Sequence, residues 1–328
     1  MNTQQNVVKE PGKIVISGSI AFDMIMKYDG LFQEHFLPDH LDNINLSFLV
    51  NHARKERGGC SGNIGYALAL LGEHPRIVAS VGPDFATYGA ALGALGVDVD
   101  YIKCFDDELT ATCNISSDLK GKQITFVCVG AMSRARELDI SAALTEHTRY
   151  VIISPDDPQA MHQHTEACRR AGVPFIYDPS FQVIAFDGEQ LLRDATGAYM
   201  LLVNDYEFEL FLKKTNLDLD GLRKYVNTVV VTCGEKGSIV HTPTESFNVG
   251  IAKVGQLGEP TGAGDAFRGG LLFGLTHGCD VKTCAQLGSV CGAYAVECVG
   301  TQNYRYSVQE FCERYRDSFG DDISKLFT

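Results

Sequence analysis

Positive charge is scarce in this chain. Its 328 residues hold 28 Lys and Arg against 41 Asp and Glu, a formal net charge of −13. A nucleic-acid binder normally shows a basic stripe, so that class is set aside. A small phosphorylated ligand stays open, because backbone N–H groups hold phosphate even inside an acidic protein. Paired cysteine spacing is missing too. The 11 cysteines form no C-x-x-C, which removes the usual zinc and redox patterns. Cys60, Cys128 and Cys233 lie in apolar or Gly-rich surroundings and read as reduced, buried small hydrophobes of a cytoplasmic protein. The nearest histidine pair, His162 and His164, reads as surface. The polar stretch 1–9 carries no apolar h-region, and 1–12 reads as a flexible tail. No run reaches the length of a membrane span. Internal repeats and low-complexity linkers are absent, so the length fits one large α/β unit or two smaller ones.

What is present is organised around Gly258-Glu259-Pro260-Thr261-Gly262-Ala263-Gly264-Asp265-Ala266-Phe267-Arg268-Gly269-Gly270. Gly262, Ala263 and Gly264 are small enough to let an anion reach the backbone N–H groups. An apolar, small-residue run follows and reads as a buried helix, so the turn sits at a helix N-terminus that favours negative charge. Asp265 in its first turn is either an ordinary helix-start residue or a base held beside an anion hole.

The rest of the chain alternates. Strands are expected at 13–17, 76–81, 150–154, 175–178, 199–203 and 228–232, and helices at 63–71, 84–95, 158–171, 188–196 and 205–213. A helix at 285–298 is expected to end at Gly300, and 307–319 reads as an amphipathic helix. Strands alternating with helices imply a parallel sheet covered on both faces. Two stretches break the pattern. The connection 27–57 has no clear helical period, which marks a functional loop. Residues 110–117 and 123–129 flank Asp118-Leu119-Lys120-Gly121, a hairpin signal. Together they are expected to form a small β lid over 27–57 and 101–130, on a core of 13–26, 58–100 and 131–320.

Three further constellations carry polar chemistry. Asp23 follows the first strand, where open α/β sheets bind ligands. Arg57-Gly58-Gly59-Cys60-Ser61-Gly62-Asn63 suits a hinge before a helix. Asn204-Asp205-Tyr206-Glu207 reads either as a capping box or as a polar pair oriented to the waters of a divalent ion. Thr232-Cys233-Gly234-Glu235-Lys236-Gly237 permits close backbone approach to a nucleotide or forms a plain turn.

Together these pieces resemble the ribokinase, or PfkB, family of carbohydrate and nucleoside kinases. Gly258 to Asp265 resembles its C-terminal signature, Gly58-Gly59 with Asn63 its N-terminal one, and Asn204 to Glu207 its N-x-x-E motif. Within the family the resemblance is closest to bacterial adenosine kinases, on Gly18-Ser19-Ile20-Ala21-Phe22-Asp23, Leu46-Ser47-Phe48-Leu49-Val50, Gly130-Ala131-Met132-Ser133, Asp178-Pro179-Ser180 and Gly300-Thr301-Gln302. The resemblance implies a three-layer α/β/α fold with a mainly parallel sheet and a small β lid. It implies transfer of the γ-phosphoryl of ATP to the primary 5′-hydroxyl of a nucleoside, adenosine first among them. Asp265 is then the base, with Gly262, Ala263 and Gly264 as anion hole. Ser17, Asp23, Phe48, Gly59, Asn63, Phe181 and Gln182 surround the nucleoside. Asn204, Thr232, Gly234 and Gly237 border ATP, and Glu207 with Asn204 organises Mg²⁺ through water. K⁺ activation is common in the family, and Glu259 stands where it usually has Asp. A free-sugar kinase shares the catalytic residues, and a non-catalytic sugar- or nucleotide-binding regulator shares the fold. The retained Asp265 favours an enzyme over the regulator. An exposed lid sheet suits a homodimer. In the lid, Phe126 and Val127 alternate in facing, so at most one of them looks into the pocket.

Overall fold

The computed structural model describes residues 12–35, 45–258 and 261–328. Most of the expected tail, part of the first connection (36–44), and Glu259 with Pro260 lie outside the described residues. The described strands are β1 (Ile14–Ser17), β2 (Ala21–Lys27), β3 (His52–Gly58), β4 (Arg76–Val81), β5 (Ile102–Cys104), β6 (Ala111–Ser117), β7 (Gln123–Cys128), β8 (Tyr150–Ile153), β9 (Phe175–Tyr177), β10 (Met200–Asn204), β11 (Thr228–Thr232), β12 (Ser238–His241) and β13 (Ser246–Val249). The α-helices are α1 (Cys60–Leu70), α2 (Ala86–Ala94), α3 (Pro158–Ala171), α4 (Gln182–Ala185), α5 (Gly188–Ala195), α6 (Asp205–Thr215), α7 (Leu219–Leu222), α8 (Ala263–Thr276), α9 (Val281–Val296) and α10 (Val308–Phe319).

Nine strands form one sheet in the order β13-β12-β11-β10-β9-β8-β1-β4-β5. From β5 to β11 every neighbouring pair is parallel, and β12 and β13 extend the sheet antiparallel. Its inner strands β1, β4, β8, β10 and β11 are near-continuous apolar runs because both faces are covered. Side chains alternate between the two covers. Ile14, Ile16, Ile152, Met200 and Leu202 pack with α1, α2, α8, α9 and α10. Val15, Val151, Ile153, Leu201 and Val203 pack with α3, α5 and α6. Each fully buried side chain of this kind contributes roughly 1.5–3 kcal/mol. Within the first cover, α8 meets α9 at glycines: a Cβ on Gly270 would lie 2.5 Å from the Leu287 carbonyl oxygen, and one on Gly288 2.7 Å from that of Phe267. The small residues read from the sequence thus serve backbone contact between helices.

A separate four-stranded sheet has the order β3-β2-β6-β7. Its β6–β7 hairpin matches the expected one, and the Asp118 carboxylate closes the turn by accepting the N–H groups of Lys120 and Lys122, each at 2.9 Å. The sheet starts at Ala21, earlier than the expected lid, and takes β2 and β3 from stretches where no strand was expected. Its edge strand β7 leaves Phe126 70% and Val127 66% exposed.

Several local expectations are corrected. Cys128 is exposed and Cys60 and Cys233 are half-buried, since β7 is an edge, Cys60 borders the cavity described below and Cys233 sits in the turn that follows β11. His164 is buried rather than surface, because the Ser17 hydroxyl and its Nδ1 meet at 2.7 Å beneath α3. The helix expected at 285–298 starts earlier, at Val281 behind an Asp280 cap, and ends at Val296, so Gly300 belongs to the following loop.

Candidate active site

In an open parallel sheet, ligands sit beyond the carboxyl ends of the strands. Here those ends and the start of α8 enclose a cavity of about 520 Å³. Ser180 reaches it from the loop after β9, residues 204–207 from the β10–α6 junction, and Thr232 and Gly234 from the end of β11. Gly262, Gly264, Asp265 and Arg268 close it from α8, and Cys60 from α1.

The turn into α8 is built for an anion. Gly262 is the N-cap with φ of 84°, a left-handed conformation that a side chain resists. A Cβ there would also meet Thr301 at 3.0 Å. The N–H groups of Ala263, Gly264 and Asp265 fall in the first helical turn, which has no intrahelical acceptor for them, and the helix dipole adds positive potential.

Asp265 is half-buried and its Oδ2 accepts the Asn63 Nδ2–H at 2.8 Å. Burial raises its carboxyl above the ordinary carboxylate value, against the pull of the Arg268 guanidinium and the Asn63 hydrogen bond. Arg268 lies one turn on, on the same helix face. Its Nε and Nη2 form a fork on Asp178, both at 2.5 Å, and the fully buried Asp178 also accepts the Ser154 hydroxyl at 2.9 Å. Nη1 lies against Gly264, where a Cβ would come within 2.8 Å of it. A fixed cation therefore stands beside the anion turn and the carboxylate.

Over residues 12–306 the chain matches the model of the pfkB family of carbohydrate kinases. It belongs to that family. Its chemistry is phosphoryl transfer to an alcohol group. The Burkholderia thailandensis nucleoside kinase, solved in complex with inosine, is 38% identical with a TM-score of 0.84, over 94% of this chain and 99% of that one. The Methanocaldococcus jannaschii nucleoside kinase structure is 25% identical with a TM-score of 0.85, over 94% and 99%. The Methanothermobacter thermautotrophicus nucleoside kinase is 27% identical over 319 residues, 95% of this chain and 98% of the relative.

Not all residues expected at this pfkB-type site gather there. Asp265, Gly262, Gly264, Asn204, Glu207, Thr232 and Gly234 line the cavity, and Ala263 offers its backbone N–H. Gly59 has φ of 84°, and a Cβ on it would lie 2.5 Å from the Ser19 carbonyl oxygen. Asp23 on β2 rests against Gly58, where a Cβ would be 2.7 Å from its Oδ2. Asp23 and Gly59 thus lie at the base of the small sheet, and Asn63 ties α1 to Asp265. Ser17 does not reach the cavity: it is fully buried on His164. Gln182 is buried with its Nε2–H on the Asp156 carbonyl at 2.7 Å. Gly237 packs on β13, where a Cβ would meet the Val249 carbonyl at 2.1 Å. Phe181 is 54% exposed beside Ser180. Phe48 sits in an aromatic cluster, its ring centroid 5.1 Å from those of Tyr28, Phe32 and His35. Strand register puts Val127 with Cys113 on the same face as Asp23, and Phe126 with Asn114 on the other.

The capping box read from Asn204 to Glu207 is present. Asn204 Oδ1 accepts the Glu207 N–H and Glu207 Oε2 accepts the Asn204 N–H, each at 2.8 Å. The side-chain Nδ2–H of Asn204 then suits a phosphate oxygen and not a metal-bound water, which needs an acceptor. Glu207 Oε1 has only a long contact with the Ser180 hydroxyl, 3.4 Å, and burial raises its carboxyl. Among the described residues no group of three His, Cys, Asp or Glu side chains is placed to hold a metal. The donor set fits an ion carried by nucleotide phosphates and water, with Glu207 at its edge. Arg268 with Asp178, and Tyr88 with Gln302, were missed by the sequence reading. Arg268 had a signal, as the one charge between Ala266 and Leu275.

Proposed function

We propose that the protein is an ATP-dependent nucleoside kinase acting on the primary 5′-hydroxyl. One observation carries the reading. Asp265 is held by Asn63 from α1 and lines one cavity with the Gly262 turn and Arg268. The hydroxyl oxygen bonds to the γ-phosphorus as the bond to the β-phosphate oxygen breaks, and Asp265 takes the hydroxyl proton. A carboxyl raised by burial is a better base near neutral pH. The N–H groups after Gly262 and the Arg268 guanidinium stabilise charge on the phosphoryl oxygens. Asn204, Thr232 and Gly234 border the nucleotide. Mg²⁺, when bound with the nucleotide and oriented by Glu207, neutralises charge on the phosphates.

The acceptor's base is not confined to adenine. On the small-sheet face that carries Asp23, the register partners are Cys113 and Val127, apolar without an aromatic plane. Stacking is worth about 1–3 kcal/mol per base; of the two aromatics expected around the nucleoside, Phe48 packs in its own cluster and Phe181 is exposed and free to supply it. The Burkholderia relative's complex with inosine agrees with a relaxed choice. ADP release with adenosine, inosine, guanosine, cytidine, ribose and fructose tests the reading. Comparable kcat/KM across the nucleosides is expected. A preference for adenosine above about a thousandfold, roughly 4 kcal/mol, removes the relaxed pocket. Turnover of free sugars alone removes the nucleoside reading.

A further inference from the structure

Behind Asp265 lies a chain of hydrogen bonds that ends on the hinge. Gln302, in the loop between α9 and α10, is 5% exposed. Its Nε2 donates to Asn63 Oδ1 at 2.9 Å and to the Tyr88 hydroxyl at 2.5 Å. Tyr88 in turn donates to the Gly58 carbonyl at 3.0 Å. Tyr88 is 1% exposed and Asn63 5%, so water does not stand in for any of these partners. The Tyr88 oxygen lies directly over Gly62, where a Cβ would sit 2.0 Å away.

Both ends of the chain only accept: the Gly58 carbonyl and the Asp265 carboxylate. That fixes every group between them. Tyr88 gives its proton to Gly58, so its oxygen must accept, so Gln302 must present N–H. Asn63 must then show Gln302 its oxygen and Asp265 its N–H. Turning both amides gives the opposite order. Gln302 Oε1, which has no partner in the observed order, would accept from Tyr88 and from Asn63. Gly58 would lose its donor, and Asn63 would present oxygen to Asp265, which then needs its proton.

Resting on the reading of Asp265 as base, we infer that Gln302 is a positioning residue that orients the Asn63 amide N–H toward Asp265 and, through Tyr88, ties that order to the hinge carbonyl of Gly58. Gly58 ends β3 and touches Asp23, so the seating of the small sheet and the ionised base belong to the same order. The other groups facing Asp265 are Cys60 from α1, Arg268 from its own helix and Asp178 from the end of β9.

The test is the pH profile of kcat/KM for the best nucleoside, in wild type, Gln302→Leu, Gln302→Glu and Tyr88→Phe. Each variant is expected to move the acidic limb up by about one pH unit, roughly tenfold in rate on that limb, with KM for ATP within about twofold. Gln302→Met fills similar space without an amide and replaces the leucine variant if that fails to fold. A limb that stays at the wild-type position in the folded variants overturns the inference and leaves the function standing. A wild-type enzyme without an acidic limb overturns the base assignment and this inference together.

Discussion

Arg268→Met separates the two roles that a buried guanidinium can have. In the native structure Asp178 is fully buried and its partners are the Arg268 fork and the Ser154 hydroxyl. Removing the guanidinium strands that carboxylate with one hydrogen bond. Breaking a buried pair in this way costs about 3–5 kcal/mol. At roughly 2–4 °C per kcal/mol for a larger domain, the melting temperature falls on the order of 10 °C. Asp178→Asn in the same chain removes the stranded charge and keeps an oxygen for Ser154. The double variant should therefore recover most of the lost stability, to within about 1–2 kcal/mol of wild type. Its kcat should not recover. Without a cation beside Gly264, the transferring phosphoryl loses a stabilising donor worth about 2.7–4 kcal/mol, a factor of roughly 10² to 10³. Thermal melts and steady-state kcat on the single and double variants supply both readings. A double variant that regains wild-type kcat along with its stability would show Arg268 to be a structural partner of Asp178 with no part in the transfer.

Three other expectations follow from the same geometry. Asp265→Asn should keep the fold and nucleotide binding while kcat falls by roughly 10² to 10⁴, and near-native turnover with the best substrate would remove Asp265 as the base. Gly58→Val pushes a side chain into the space of the Asp23 carboxylate, 2.7 Å from where its Cβ would stand, so kcat and KM should both worsen, and a change in only one would separate the hinge from the acceptor site. Asp156 is buried with one carboxylate oxygen unpartnered, and burial lifts its pKa from 3.8 to about 8. The folded state then holds the proton longer than the unfolded one, so its stability contribution is full at about pH 4 and is lost as pH rises through about 8. Asp156→Asn should melt higher than wild type at about pH 8.5 and level with it at about pH 4.5; equal melting at both would show the carboxyl is not held protonated.

The strands of the large sheet were legible because burial on both faces leaves continuous β-branched runs, as in Thr228–Thr232, where the expected and observed bounds coincide. The helix Pro158–Ala171 was legible for a different reason, its Asp157 cap, Pro start and left-handed Gly172 end. The strands β2 and β3 were not. Their sequences, Ala-Phe-Asp-Met-Ile-Met-Lys and His-Ala-Arg-Lys-Glu-Arg-Gly, show little clean alternation, because hydrogen bonding to neighbours, not one well-buried face, defines them. Where a backbone turn or a cap fixes the residue, the local geometry was legible from sequence: Gly59 and Gly262 at positive φ, Asn204 as a helix cap. Ser17 and Gln182 are buried away from the cavity because each spends its polar group on a distant partner, His164 and the Asp156 carbonyl. Such pairings leave no local pattern.

The same division explains why the motif around Asp265 underdetermines its chemistry. Gly262-Ala263-Gly264-Asp265 places a carboxylate at a helix start, and nothing local sets its proton affinity. That is set by its surroundings in the fold. Burial raises it most and Asp178 raises it further, while Arg268, Asn63 and Cys60 lower it. A base for phosphoryl transfer needs the first pair to make it accept a proton and the rest to keep it ionised until the hydroxyl arrives. The opposing groups come from α1, α8 and the end of β9, three elements that meet only when the cover holding α1 and α8 is packed on the sheet. The proton affinity of Asp265 is thus a property of the assembled fold. A chain could keep the whole Gly-rich turn and lose catalysis through Asn63 or Arg268 alone.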